Sequence, residues 1–412
     1  MRINLVSCVS ICAILSCAVS KKVPQTPAAP KSSTVPAGQG PMSATAPVPA
    51  TITAQPASKG CTPGHFAAQV SYATGNYPDS VAVSDFNADG KADIVVANAG
   101  ENTVSVLLNN GSGTFGANAT YAAGISPYFV AVGDFNADGK ADIAAANPQP
   151  DPSDSIKVLL NGGTGTFGTP ATYATGANPA AIVVADFNAD GKPDLVVTNR
   201  KNKTISVLLN GGAGTFRTQV TYPAGARPNS IAASDFNSDG KLDLAITTGD
   251  ASTGDPSTVN VLLGRGSGVF AAPVSYEAGN VPNSIAVGDF NGDGKPDFAT
   301  ANIYTKTIGV FLNTGSGVFA AQASYPVGPY PYHVTVGDFD TDGLPDLAVV
   351  YGGSVNVLRN LGAGTFAAPV AYETGNIPVS VAVSDFNGDQ LPDLVVANAK
   401  SNTVGVFLNQ CK

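Results

Sequence analysis

The sequence predicts an all-β protein, a seven-bladed β-propeller of four-stranded antiparallel blades. Three observations carry this reading. An acidic nonapeptide, first met as "DFNADGKAD" at 85–93, starts again at 134, 186, 235, 289, 338 and 385, so the chain repeats every 47–54 residues. Each unit holds four short β-rich runs; in the first they are "SVAVSDF", "DIVVAN", "TVSVLLN" and "FGANATYA". The composition, with 46 Gly, 30 Pro, no Trp and 12% charged residues, suits many tight turns rather than helices. Seven units of four strands is the pattern of a propeller. Uninterrupted apolar runs such as "IVVA" fit blades buried on both faces, where one-sided burial would give alternation.

The N-terminal stretch "MRINLVSCVSICAILSC" (1–17) has one early Arg and then an apolar run, and it reads as a secretory signal. "ILSC" at 14–17 resembles the bacterial lipobox. That resemblance implies that Cys17 is the lipidated residue, with ordinary signal cleavage as the alternative. Residues 18–60, rich in Pro, Ala, Ser and Thr, read as an extended linker. The expected location is therefore the cell envelope, outside the cytoplasm, or secretion.

The propeller domain is expected over 61–412. The last unit stops after its third run, "TVGVFLNQCK", while an orphan fourth run, "HFAAQVSYATG", precedes the first unit. The N-terminal strand (66–74) is thus expected to complete the last blade and close the ring. Cys61 and Cys411 fall on the two sides of the hairpin that this arrangement splits, and a disulfide between them is expected in an oxidising compartment.

The acids are concentrated in the nonapeptides. Six copies hold three Asp each and the copy at 338 holds four, which accounts for 22 of the 30 acidic residues. A net charge of −9 with no basic stripe excludes a nucleic-acid partner. Hard oxygens at positions 1, 3, 5 and 9, with a main-chain carbonyl at 7, can wrap a calcium ion. The expected ligand sets are Asp85, Asn87, Asp89, Lys91 and Asp93; Asp134, Asn136, Asp138, Lys140 and Asp142; Asp186, Asn188, Asp190, Lys192 and Asp194; Asp235, Asn237, Asp239, Lys241 and Asp243; Asp289, Asn291, Asp293, Lys295 and Asp297; Asp338, Asp340, Asp342, Leu344 and Asp346; and Asp385, Asn387, Asp389, Leu391 and Asp393. Up to seven structural Ca2+ ions are expected, which would carry the net charge from −9 to about +5. An EF-hand would place Glu at position 12, where this sequence has Val96 inside a strand. An Asx turn explains one or two of these acids but not three at fixed spacing. In the seventh copy Gln390 stands where Gly is expected, a strained residue at positive φ.

"DFNxDGxxDL" followed by Phe, Tyr and Gly resembles the FG-GAP or VCBS repeat over about 66–412. The resemblance implies an integrin α-subunit-like propeller, metal loops between the first two strands of each blade, and adhesion or ligand recognition. Some mushroom lectins and polysaccharide lyases are similar to it too, so the resemblance leaves function open.

The links between units all read G-x-x-P, and residues within and beside them vary. Tyr77, Tyr128, Phe129, Arg227, Tyr330, Tyr332 and His333 are the candidate ligand-binding residues, for a protein or glycan, against the alternative of a variable rim with no single site. The repeated tyrosines, Tyr72 to Tyr372, read as packing. Two His and eight acids outside the nonapeptides give no catalytic constellation. The expectation is a non-catalytic, monomeric binding or adhesion module that touches a membrane only through its lipid. A lectin-like propeller is the alternative, and a polysaccharide-active enzyme the third reading.

Overall fold

In every unit the run after the nonapeptide is buried along nearly its whole length: Asp93–Asn98, Asp142–Asn147 and Asp194–Asn199 are buried throughout. Val, Ile and Ala fill both faces of these strands, so each must be covered from both sides. The computed structural model describes residues 65–148, 154–252 and 254–410 and shows how that is done. Four strands pair antiparallel in chain order to form a blade; in blade 1 these are Pro78–Ser84, Asp93–Asn98, Thr103–Leu107 and Ala119–Ala122. Seven such blades follow one another, and their first strands pack on one another to form the inner ring. The fourth strands are outermost, short and largely exposed, which protects seven free edges from pairing with other chains.

Blade 7 is Pro378–Ser384, Asp393–Asn398 and Thr403–Phe407, completed by Val70–Ala73 from the other end of the chain. Val70 pairs with Val406 and Ala73 with Thr403. Phe66 bridges to Asn409, and the Gln410 amide donates to the His65 carbonyl at 2.7 Å. The expected closure by the N-terminal strand is thus observed. Residues 1–17 with Cys17, the 18–60 linker, Cys61 and Cys411 lie outside the described residues. Among the described residues no helix is long and apolar enough to cross a membrane.

Neighbouring blades are stitched in two layers. Near the inner ring, the Oγ atoms of Ser80, Ser230, Ser284 and Ser380 each accept the first-strand amide of the next blade, at 3.2–3.3 Å. Further out, Tyr72, Tyr121, Tyr173, Tyr222, Tyr276 and Tyr325 donate to a glycine carbonyl of the next hairpin, as Tyr121 does to Gly165 at 3.0 Å. Their rings meet that hairpin's Phe edge-on. This is the packing role expected of them.

Candidate metal centres

Each nonapeptide joins the first two strands of its blade, where three short-range demands fold it. In the first loop the amides of Asp89 and Gly90 donate to the two oxygens of Asp85, at 3.1 and 2.8 Å. The Asp89 amide is shared with Asn87 Oδ1 at 3.0 Å, and the Lys91 amide donates to Asp89 Oδ1 at 3.0 Å. Positions 1, 3 and 5 are thereby drawn onto one concave side. That curl needs two left-handed residues: Ala88 (φ 60°) and Gly90 (φ 82°). All seven copies repeat the pair. The sixth position is Gly in six of them and Gln390 (φ 69°) in the seventh. Gln390 keeps the Gly bond, donating to Asp385 Oδ2 at 2.8 Å, so the seventh loop has the same backbone as the rest. A Cβ at the equivalent glycines meets nothing within 4 Å, so the cost is backbone strain alone. Gln390→Gly is expected to raise stability by about 1 kcal/mol, read by urea unfolding.

Position 9 lies deeper. Asp93 is fully buried; its Oδ2 accepts the Phe86 amide at 2.8 Å and its Oδ1 the Asn109 amide at 2.7 Å. Asn109 in turn donates from Nδ2 to the Phe386 carbonyl in the preceding blade's loop, at 2.9 Å. Asn161, Asn210, Asn313, Asn360 and Asn409 repeat this bridge, and blade 4 has Gly264 in its place. One buried carboxylate thus orders both its own loop and the link to the preceding blade's loop.

Burial pushes the carboxyls of Asp93, Asp142, Asp194, Asp243 and Asp297 up to about 6, with the amide bonds opposing and the other loop acids adding to the rise. Burial likewise pushes Asp346 and Asp393 up to about 7. A divalent cation would relieve this crowding. In blade 6, oxygens of Asp338, Asp340 and Asp346 lie within 4.8 Å of one another. Ligands about 2.4 Å from one ion can sit no further apart than about 4.8 Å, so this donor set fits calcium. The donors, all hard oxygens, match the same ion.

The pH response follows. Without metal, the folded chain binds more protons at position 9 than the unfolded chain does between pH ~4 and ~7, so stability rises as pH falls through that window. Lys91 and Lys241, through hydrogen bonds, hold the exposed Asp89 and Asp239 below the usual range, a smaller effect that acts at lower pH. With calcium bound the carboxylates stay ionised, and acid competes with the ion. The slope of melting temperature against pH is therefore expected to change sign between calcium-loaded and metal-free protein, by scanning calorimetry from pH ~7 to ~5.

The model of the FG-GAP-like repeat matches residues 85–145, 134–197, 186–246, 249–300, 289–349 and 338–396. Together these segments cover all seven nonapeptides end to end. The chain belongs to the FG-GAP-like repeat family. No curated protein matches it. Among solved structures, BBS1N in complex with ARL6DN is similar at 12% identity, over 84% of this chain and 97% of that one, with a TM-score of 0.59. A functionally unknown protein from Desulfotomaculum acetoxidans DSM 771 matches at 14% identity, over 74% and 88%, with a TM-score of 0.52. An Agrocybe aegerita lectin that recognises non-reducing terminal N-acetylglucosamine matches at 20% identity, over 82% and 87%, with a TM-score of 0.48. At these identities the likeness is one of fold.

The opposite face of this FG-GAP propeller carries the G-x-x-P links. The residue before each Pro is left-handed in all seven: Tyr77, Ser126, Asn178, Arg227, Val281, Tyr330 and Ile377 have φ of 43–60°. The strain is held by a main-chain bond, for example from the Ala99 amide to the Tyr77 carbonyl at 3.0 Å. Tyr77 and Tyr330 are exposed at this rim, as expected, and Arg227 pairs there with Asp250.

Three of the expected rim residues are instead interior. Phe129 (1% exposed) is a core residue of its first strand. Tyr128 (7%) lies under the Arg200 guanidinium, 5.2 Å from its ring centroid. His333 (0%) occupies the slot that Ser holds in other blades, its Nδ1 accepting the Val381 amide at 3.3 Å. The cause is shared: the residues after the link Pro already belong to the inner ring of strands. Tyr332 is half-buried, its carbonyl accepting from Asn283 at 2.8 Å. Sequence reasoning missed Tyr304, which is 53% exposed and sits edge-on to Tyr330 (50%) with centroids 6.4 Å apart. Its signal was the turn "NIYTKT" between the second and third strands of blade 5.

Proposed function

We propose that this protein is a calcium-stabilised, non-catalytic binding or adhesion module working outside the cytoplasm as a monomer, held to the cell envelope by a lipid on Cys17. The observation that carries the reading is the acidic loop repeated in every blade of an FG-GAP-like propeller, with three carboxylates drawn together in blade 6. Calcium would be held by positions 1, 3, 5 and 9 and by the position-7 carbonyl, giving a rigid platform. The position-9 Asp fixes each loop to its neighbours, and the remaining acids hold the ion. A bond between Cys61 and Cys411 would lock the seam, a reading supported by the hydrogen bond from Gln410 to His65, which joins the two ends of the described chain.

The exposed Tyr304–Tyr330 pair favours a glycan over a peptide as ligand, because two edge-on rings offer an apolar face with hydroxyl groups at its border. Glycan and protein arrays probed with calcium-loaded protein test this. The Tyr304→Ala/Tyr330→Ala variant is expected to weaken a hit about 30-fold without lowering the melting temperature. Hits that the double variant retains would move the ligand elsewhere, and release of reducing ends from a polysaccharide would replace binding by catalysis. Fatty-acid labelling that Cys17→Ser abolishes tests the anchor.

A further inference from the structure

We propose that calcium fills the ring in two classes, with the loops of blades 6 and 7 loading before the other five. The proposal rests on the calcium reading above and concerns how these particular loops differ.

In loops 1 to 5 position 7 is Lys, and its ammonium holds the position-5 carboxylate. Lys91, Lys140, Lys192, Lys241 and Lys295 lie 2.9, 3.2, 3.0, 3.1 and 2.7 Å from Oδ2 of Asp89, Asp138, Asp190, Asp239 and Asp293. Oδ1 of each of these Asp is taken by the amide of the same Lys. An arriving ion must dislodge the ammonium from this carboxylate or bind beside its charge. In loops 6 and 7 position 7 is Leu344 or Leu391, and only the amide bond remains, at 2.8 and 2.9 Å. Asp389 Oδ2 accepts instead from the neutral Asn387 amide, at 2.9 Å.

The charge differs in the same direction. Loops 1 to 5 set three Asp against one Lys, loop 7 has three Asp and no Lys, and loop 6 has four Asp. The nearest cation to that fourth acid, Arg359, stands 3.6 Å from Asp340 on the hairpin. More ligand charge means tighter calcium binding. One ammonium about 6 Å from a divalent ion in water weakens binding about tenfold. The left-handed Gln390 does not offset this, because its loop already holds that conformation before an ion arrives.

Blade 7 is the one closed by the N-terminal strand, and blade 6 supports it. The seam would thus be secured at calcium concentrations that leave the rest of the ring unfilled.

The test is calorimetric titration of chelator-treated full-length protein with calcium chloride. Wild type is expected to show two tight sites and five about tenfold weaker. Leu344→Lys/Leu391→Lys should abolish the tight class while keeping the total number of ions, and Lys91→Leu should raise the tight class to three. Circular dichroism checks folding. Should the double variant not fold, Lys91→Leu, which removes an exposed cation, decides alone. Seven equivalent sites in wild type, or a tight class that none of these changes moves, would overturn the proposal while leaving calcium binding intact. No heat of calcium binding in any protein would overturn both.

Discussion

Removing calcium is expected to lower the melting temperature by about 20 °C, the largest effect on this protein that the structure implies. An ion present at about a hundred times its dissociation constant stabilises the folded chain by about 2.7 kcal/mol, so seven ions contribute on the order of 19 kcal/mol. The propeller's roughly 340 ordered residues give an unfolding entropy near 0.7 kcal/mol per kelvin, so that loss shifts the midpoint by about 25 °C, less where a loop is only partly filled. The expected direction is set by the loops themselves. Without the ion, Asp85, Asp89 and Asp93 share a small concave space, and Asp93 has no contact with water. Scanning calorimetry before and after EDTA, with calcium then restored, makes the measurement. Magnesium should restore little, because it holds its own water and prefers octahedral geometry. An unchanged midpoint, with no calcium in elemental analysis of the untreated protein, would leave hydrogen bonding as the loops' sole purpose.

The ring was legible because its unit is repeated. Spacing gave seven blades, and the split last unit gave the closure that Val70 and Val406 make. Within the loop, Gly90 announced its left-handed turn, but Ala88, Ser238 and Thr341 did not. Their φ is imposed by the amide bonds of position 5, which are invisible until the loop is curled. The same holds for Val281 and Ile377, since a residue before Pro normally extends. A long-range carbonyl contact overrides that local preference. His333 misled for a different reason: its chemistry suggested a site. Set beside "PDS", "PNS" and "PVS", however, "PYH" puts His in a serine's place, and the two share the ability to accept one amide bond. Tyr304 was readable as exposed, but its pairing with Tyr330 depends on two turns meeting across a blade boundary.

Asp194→Ala should be the most damaging single substitution in a loop, costing about 5–9 kcal/mol with calcium present. Oδ2 of Asp194 accepts the Phe187 amide at 3.0 Å and Oδ1 the Asn210 amide at 2.7 Å, and the residue has no exposed surface. Alanine leaves both amides buried without acceptors, at about 1–3 kcal/mol each. It also frees Asn210, whose Nδ2 reaches the Phe135 carbonyl of blade 2 at 2.9 Å, so damage in one loop spreads across a blade boundary. With calcium, the linked binding of one ion, about 2.7 kcal/mol, is lost as well. Asp194→Asn separates the two roles. Its amide carbonyl can serve one of the two donors, so in EDTA it should cost about half as much as alanine, and removal of a buried charge offsets part of even that. In calcium each variant should fall about 2.7 kcal/mol further below wild type, with the gap between the two unaltered, because both lack the charged ligand. Urea unfolding of the three proteins with and without EDTA gives the comparison. If calcium left the gap between wild type and asparagine unaltered, Asp194 would be a hydrogen-bonding residue and no ligand.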